Sequence, residues 1–352
     1  MIEFDHVSAS YGVQAPVIND VSFAIGDGEF VSFVGTNGAG KSTTMRLCNG
    51  LLKPTKGQVL LDGVPTTQLK TSQLARTVGF LFQNPDRQIC CNTVRDELLF
   101  SFEAQGADKS AAQERVDAVI AEFGFDGQAD PFLLNRGTRQ LLALASVVVC
   151  EPKILILDEP TTGLDHRECL KVMDYVGRLN REKGTTVVMV CHDMEVIADY
   201  AKRVIVMTKG QVVGEGPTFE VLRNRSVVQE ADLLAPQVVD ISMRLIEECP
   251  ELADGPIGCA NTLAELEQAI EEYAPAADVH SRCPKKLDEP EQAIATAVGG
   301  HIGCANKLDE PEQAIEGYAT AAGGQIERLT TEEAGCGRIV DEHEGRAEGE
   351  AR

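Results

Sequence analysis

Short apolar runs without polar alternation recur through the amino-terminal part of the chain, and glycines or acids punctuate their ends. Lys153-Ile-Leu-Ile-Leu157 is the clearest. A strand with one wet face alternates, so an unbroken run of this length predicts a strand covered on both faces of a parallel sheet. The apolar run Glu29-Phe-Val-Ser-Phe-Val34 predicts a second such strand. Further strands are expected elsewhere in 2–34, with Tyr11 in a loop, near 57–62 and 77–82, over 185–190, and near 203–215. Helical spacing appears from Lys41, across a subdomain of about 94–150, and near 166–181. Within the subdomain, Ala107-Asp-Lys-Ser110 starts a helix and Ala111–Phe123 carries apolar residues at helical intervals. Strands alternating with helices predict an α/β core.

Chemistry enters directly after Val34. Gly35-Thr36-Asn37-Gly38-Ala39-Gly40-Lys41-Ser42-Thr43 fits G-x-x-x-x-G-K-[S/T], a strand running into a glycine loop that opens a helix. The glycines let successive N–H groups converge on phosphate oxygens, where the helix also presents its positive end. Lys41 is suited to the β- and γ-phosphates of ATP and Ser42 to Mg²⁺. The second signal is Asp158-Glu159, which closes the buried run at 153–158. Both acids must emerge at the strand's carboxyl end, beside the phosphate loop. Asp158 is suited to hold Mg²⁺ through water or from just outside its ligand sphere, and Glu159 to orient and deprotonate an attacking water.

At this point the chain resembles the ATP-binding cassette (ABC) ATPases over about residues 1–225. Tyr11 lies where that family stacks an aromatic on adenine. Gln83 in Phe80-Leu-Phe-Gln83-Asn-Pro matches its glutamine loop, Thr161-Thr-Gly-Leu-Asp165 the loop after the catalytic Glu, and His192 in Val187-Val-Met-Val-Cys-His192 its switch histidine. The resemblance implies a P-loop NTPase core with an antiparallel β subdomain and a helical signature subdomain. It also implies Glu159 as base, His192 as a γ-phosphate contact, and Gln83 as a sensor joining Mg²⁺ and water to a moving subdomain. A second subunit completes the site in that family, so one chain alone is expected to hydrolyse poorly.

The signature loop departs from the family pattern Leu-Ser-Gly-Gly-Gln. Here it reads Leu134-Asn135-Arg136-Gly137-Thr138-Arg139-Gln140. Asn135 replaces the serine that contacts the γ-phosphate, although its amide still donates and it caps helices well. Asn135 and Gly137 are expected to face the nucleotide of a partner subunit, at a weakened composite site. That asymmetry fits a heterodimer of two different ATPases, and a homodimer with two slow sites is the alternative. Phe82-Gln83-Asn84-Pro85-Asp86-Arg87-Gln88 and Thr93-Val94-Arg95-Asp96-Glu97-Leu98 resemble the ATPase subunits of energy-coupling factor transporters, which drive uptake of vitamins and of cobalt or nickel ions. The implied partners are a transmembrane coupling protein and a membrane substrate-binding protein. A soluble regulatory or nucleic-acid-associated cassette ATPase is the competing reading.

Composition changes the picture mainly at the carboxyl end. The 352 residues carry a net charge of −23, of which −5 falls in residues 1–225 and −18 in 226–352. An acidic surface repels nucleic acid phosphates, so no nucleic acid partner is expected. No apolar stretch approaches the roughly 18 residues that span a bilayer, and Met1-Ile-Glu-Phe-Asp-His begins a strand rather than a leader. The expected location is the cytoplasmic face of the membrane, held there by partner subunits. The eleven cysteines form no C-x-x-C pair, so they read as reduced packing or loop residues, Cys90-Cys91 included, and not as structural zinc or redox pairs.

Past the cassette, Leu234-Ala-Pro236-Gln-Val-Val-Asp and Thr262–Ile270 resemble a carboxyl-terminal dimerisation extension, assigned to 226–275. The unit Cys259-Ala-Asn-Thr-Leu263-Ala-Glu-Leu-Glu-Gln-Ala-Ile270 recurs from Cys283 and from Cys304, which makes 276–321 a duplicated segment of short helices. The Gly, Glu and Arg content of 322–352 predicts an acidic disordered tail.

Overall fold

The computed structural model describes residues 1–276 except 13–14, 106–108 and 254. The chain divides into two compact units at Lys286, and all described residues lie in the first. The duplicated copies from Cys283 and Cys304 and the tail lie outside the described residues.

The chain begins with strands β1 (Ile2–Ala9), β2 (Ile18–Ile25) and β3 (Phe30–Val34), then helix α1 (Lys41–Cys48). Strands β4 (Lys56–Leu61) and β5 (Val64–Pro65), the single turn α2 (Thr71–Leu74) and strand β6 (Val78–Leu81) follow. Helices α3 (Val94–Gln105), α4 (Lys109–Phe123) and α5 (Arg136–Val148) make up the helical subdomain. The core resumes with β7 (Ile154–Asp158), α6 (His166–Lys183), β8 (Thr186–Val190), α7 (Met194–Tyr200), β9 (Arg203–Thr208) and β10 (Gln211–Pro217). Helices α8 (Thr218–Arg223), α9 (Arg225–Glu230), α10 (Gln237–Glu248), α11 (Pro256–Cys259) and α12 (Leu263–Ala276) close the described chain.

Two sheets organise these elements. The first is antiparallel, in the order β2-β1-β4-β5; the second runs β10-β9-β3-β8-β7-β6, parallel except for the β9–β10 hairpin. β2 shows the alternation of a half-buried strand: Val21, Phe23 and Ile25 are buried while their neighbours face out. The parallel strands have no such alternation, because both faces are covered. Phe30, Val34, Leu155, Leu157, Val187 and Met189 join the core under the helical subdomain. Their alternate neighbours Val31, Phe33, Ile154, Ile156, Val188 and Val190 join the core under α1 and the antiparallel sheet. The strand register pairs Leu155 with Val187 and Phe30 with Val187, which keeps like-facing residues in one layer.

Helix ends follow local chemistry. Asn135 caps α5, accepting from Thr138 N–H at 2.7 Å. Asp165 and Glu168 form a reciprocal box at the start of α6, and Gly184 ends that helix with φ 66°. At the other end of the cassette, Arg223 on α8 donates to Asn261 Oδ1 at 2.9 Å and to the Ala260 carbonyl, while Ser242 on α10 donates to the Ile257 carbonyl at 2.6 Å. The first copy of the repeated unit is thus seated on the cassette through α11 and α12, with Leu266 and Ala269 buried. Among the described residues no helix is long and apolar enough to cross a membrane.

Burial of β7 on both faces sets a measurable cost. Leu155, fully buried, leaves a cavity when truncated, and Leu155→Ala is expected to lower the free energy of unfolding by about 2–5 kcal/mol. Denaturant unfolding checks this, and a loss below about 1 kcal/mol would contradict a close-packed central strand.

Candidate active site

The loop between β3 and α1 takes its shape from backbone that only glycine accepts readily. Gly35, Gly38 and Gly40 have φ of 140°, 81° and 103°. A Cβ at Gly35 would stand 2.0 Å from the Met207 carbonyl oxygen, and one at Gly40 would stand 2.5 Å from Ile18 Cδ1. Thr36 accepts from Ala39 N–H at 3.1 Å, and Ala39 accepts from Gly210 N–H at 3.0 Å, which anchors the loop to the β9–β10 turn. Asn37 and Gly38 form its exposed tip.

Lys41 is buried and donates to the carbonyls of Gly35, at 2.6 Å, and Thr36, at 3.0 Å. Burial lowers its ammonium below the ordinary lysine range, and the charges of Glu159 and Asp158 work against that shift. Ser42 Oγ donates to Asp158 Oδ1 at 3.0 Å. Burial raises the Asp158 carboxyl; the Ser42 hydrogen bond opposes this, and the neighbouring Glu159 adds to it. The pair offers two adjacent oxygens to a hard cation such as Mg²⁺.

Glu159 follows β7 at φ 53°, a left-handed conformation that its N–H secures by donating to the Val190 carbonyl at 2.9 Å. Three side chains converge on its carboxylate. Gln83 Nε2 donates to Oε2 at 2.7 Å, Thr162 Oγ1 donates to the same oxygen at 3.0 Å, and His192 Nε2 lies 3.2 Å from Oε1. Gln83 comes from the segment after β6 and His192 from the end of β8, so three parallel strands deliver their carboxyl ends to one point.

Tyr11 is partly exposed, with its hydroxyl 3.3 Å from Thr43 Oγ1 and accepting from Arg46 Nη1 at 3.3 Å. That places its hydroxyl beside the first turns of α1. Asn135 and Gly137 sit apart, in the cap and first turn of α5. Gly137 is pressed against α6, where an added Cβ would stand 1.8 Å from Glu168 Oε1, and Arg136 donates to the Thr162 carbonyl at 3.0 Å.

Several contributors were given no catalytic role by the motifs. Thr162 matters through its hydroxyl on Glu159, and Arg46 lines a cleft of roughly 450 Å³ with Gln83, Asp158, Thr162, Arg136 and Arg139. Gln88 holds the glutamine segment onto α5: its Nε2 donates to the Ala143 carbonyl at 2.7 Å and its Oε1 accepts from Phe82 N–H at 3.2 Å. Arg139 pairs with Asp86 at 3.3 Å across the same seam. Thr162, Asp86, Gln88 and Arg139 all lie within the quoted motifs, where no role was assigned to them, and Arg46 lies outside those motifs.

The arrangement suits phosphoryl transfer to water: a cradle for phosphates, oxygens for a metal, and a carboxylate held ready as base. Residues 18–162 match the family described as ABC transporter. An ABC transporter ATP-binding protein of Caldanaerobacter subterraneus is 37% identical over 247 residues, covering 70% of this chain and 43% of that protein. The energy-coupling factor transporter ATP-binding protein EcfA2 of Acetivibrio thermocellus is 34% identical over 259 residues, covering 73% of this chain and 91% of that protein. This chain therefore spans less than half of the first relative and most of the second. Among solved structures, cbiO1 of Clostridium perfringens, part of the transporter complex cbiONQ, aligns with a TM-score of 0.59 and 29% identity, covering 70% of this chain and 98% of that one. A bacterial ABC transporter cassette solved as a dimer aligns at 0.56 and 29%, covering 62% and 99%. Relatedness over nine tenths of a whole cassette protein, on a site of this construction, settles the assignment: the chain belongs to the ABC transporter ATPases.

Proposed function

We propose that the chain is the ATP-hydrolysing subunit that energises a membrane importer of the energy-coupling factor type, taking up a vitamin or a transition-metal ion. The observation that carries the chemistry is the Glu159 carboxylate, fixed from three directions by Gln83, Thr162 and His192 beside the Ser42–Asp158 pair. The likeness to energy-coupling factor ATP-binding proteins supports the transport assignment.

Gly35 to Thr43 bind the triphosphate of ATP, with Lys41 leaving its loop carbonyls for the β- and γ-phosphates. Tyr11 packs on the adenine. Ser42 and Asp158, with Gln83, are the residues that would hold Mg²⁺, which neutralises charge on the phosphates when bound. Glu159 orients the attacking water and takes its proton, and His192 moves from the carboxylate to the γ-phosphate. Gln83, already bonded to Glu159, reports the state of the site to the helical subdomain. Asn135 and Gly137 cap the nucleotide of a second ATPase subunit, where the amide of Asn135 gives a weaker contact than a serine hydroxyl. A heterodimer with one strong and one weak site follows, docked on a transmembrane coupling protein and a membrane substrate-binding protein at the cytoplasmic face.

Three outcomes test this reading. Glu159→Gln removes the base and is expected to lower hydrolysis by about 10²–10⁴-fold while ATP binding persists, measured by phosphate release and by nucleotide retention on gel filtration. Unchanged hydrolysis would remove Glu159 from the role.

Asp158 tests the electrostatics. Its carboxyl is raised in the folded chain, so the folded state binds the proton more tightly than the unfolded one, and stability falls as pH rises through that carboxyl's pKa. At neutral pH its charge is a net cost, and Asp158→Asn is expected to melt no lower than wild type without nucleotide, while hydrolysis drops by about 10–100-fold. A lower melting temperature in thermal scans at neutral pH would contradict the assignment of burial as the dominant influence.

For the assembly, the tagged chain is purified from native membranes in mild detergent and everything retained is identified by mass spectrometry. Recovery of a second cassette ATPase with two membrane proteins is the expected result. Recovery of this chain alone, in the soluble fraction, sinks the importer reading and favours a regulatory ATPase.

A further inference from the structure

The segment that leads from Gln83 into α3 carries two adjacent cysteines for which ATP chemistry has no use. Cys90 is exposed and Cys91 partly covered, while Glu97, near the start of α3, is buried at 2% exposure. The N–H groups of Cys90 and Cys91 both donate to Glu97 Oε2, at 2.9 and 2.8 Å, so the loop wraps around the carboxylate. One ligand atom from each residue lies within 4.8 Å of the other two. Metal–thiolate bonds of about 2.3 Å place two sulfurs of a tetrahedral site about 3.8 Å apart, so little rotation is needed to close on a cation.

The donor set selects the ligand. Two thiols exclude Mg²⁺ and Ca²⁺ and favour thiophilic ions. Three protein ligands with Cys90 facing solvent leave a fourth position for water, as in open rather than structural zinc sites. A disulfide switch is the competing use of two cysteines. The two residues are adjacent, with Cα atoms about 3.8 Å apart, below the roughly 4.4–6.8 Å that a disulfide usually spans, so the geometry disfavours that use.

We propose that Cys90, Cys91 and Glu97 form an exchangeable site for a thiophilic divalent cation such as Zn²⁺, whose binding fastens the loop after Gln83 to the first turns of α3. The loop is already tied at its other end, where Gln88 bonds Phe82 and Ala143. A bound cation therefore stiffens the connection between the Glu159 partner Gln83 and the helical subdomain.

The test uses the reduced full-length chain titrated with Cd²⁺, read by thiolate-to-cadmium charge-transfer absorbance, against the Cys90→Ser/Cys91→Ser double variant and Glu97→Gln. The double variant is expected to lose one equivalent of Cd²⁺ per chain, and Glu97→Gln to keep that equivalent with affinity weakened about tenfold or more. Where circular dichroism shows Glu97→Gln misfolded, Cys90→Ser alone is read for the same weakening. Zn²⁺ is further expected to slow amide exchange across residues 89–97 in the wild type and not in the double variant. Equal stoichiometry and affinity in wild type and double variant, or exchange in the wild type indifferent to Zn²⁺, overturns the proposal.

Discussion

Everything about the ATP site depends on β7 having no wet face. Its five residues are all buried, and Ile154 to Leu157 alternate between two separate cores. The first place the strand can hold charged groups is its carboxyl end, where Asp158, still buried, and Glu159 stand. β3 and β8, buried in the same way and running parallel beside it, deliver the phosphate loop and His192 to the same edge. Ligands of open parallel sheets gather at strand carboxyl ends for this reason. The left-handed backbone of Glu159 is tolerable because the neighbouring strand over-determines it through the Val190 carbonyl.

The site thereby concentrates groups that fit the protein poorly when alone. Lys41 is pushed toward its neutral form and Asp158 toward its protonated form, both chiefly by burial. A polyanion beside Lys41 and a cation beside Asp158 would favour the charges that burial opposes. Function and stability pull against each other at these positions, as they do wherever charges are buried for chemistry.

Periodicity and motif spacing made the central sheet legible, because unbroken apolar runs have one economical explanation. Strands expected near 57–62 and 77–82 occur at Lys56–Leu61 and Val78–Leu81, and the helix expected near 166–181 runs from His166 to Lys183. Lys41, Ser42, Asp158, Glu159, Gln83 and His192 do come together. The hidden part was long-range pairing: no local pattern says that β1 pairs with both β2 and β4, or that β9 lies beside β3. The roles of Thr162 and Arg46 were hidden for the same reason, since a threonine or an arginine has a solvated default and only the fold brings these exposed side chains beside Glu159 and Asp158. Glu97 looked like an ordinary acid in a first helical turn, and only its burial beneath Cys90 and Cys91 sets it apart.

The seam between the glutamine segment and α5 explains how a site made of strand ends can act on a distant helix. Gln83 touches Glu159 directly, and the residues just after it are clamped to α5 by Gln88 and by the Asp86–Arg139 pair. Gln88 also donates to Ser146 Oγ at 3.1 Å, and Ser101 on α3 donates to the Ser146 carbonyl at 2.7 Å, so α3 and α5 share the attachment. Asn135 caps that same α5. A displacement of Gln83 therefore cannot leave the Asn135 end of α5 where it was unless these bonds break. Of the two clamps, the Asp86–Arg139 pair is partly solvated and contributes little by itself. The Gln88 amide, half-buried and bonded through both its oxygen and its nitrogen, is the stronger tie, because breaking it strands polar groups away from water.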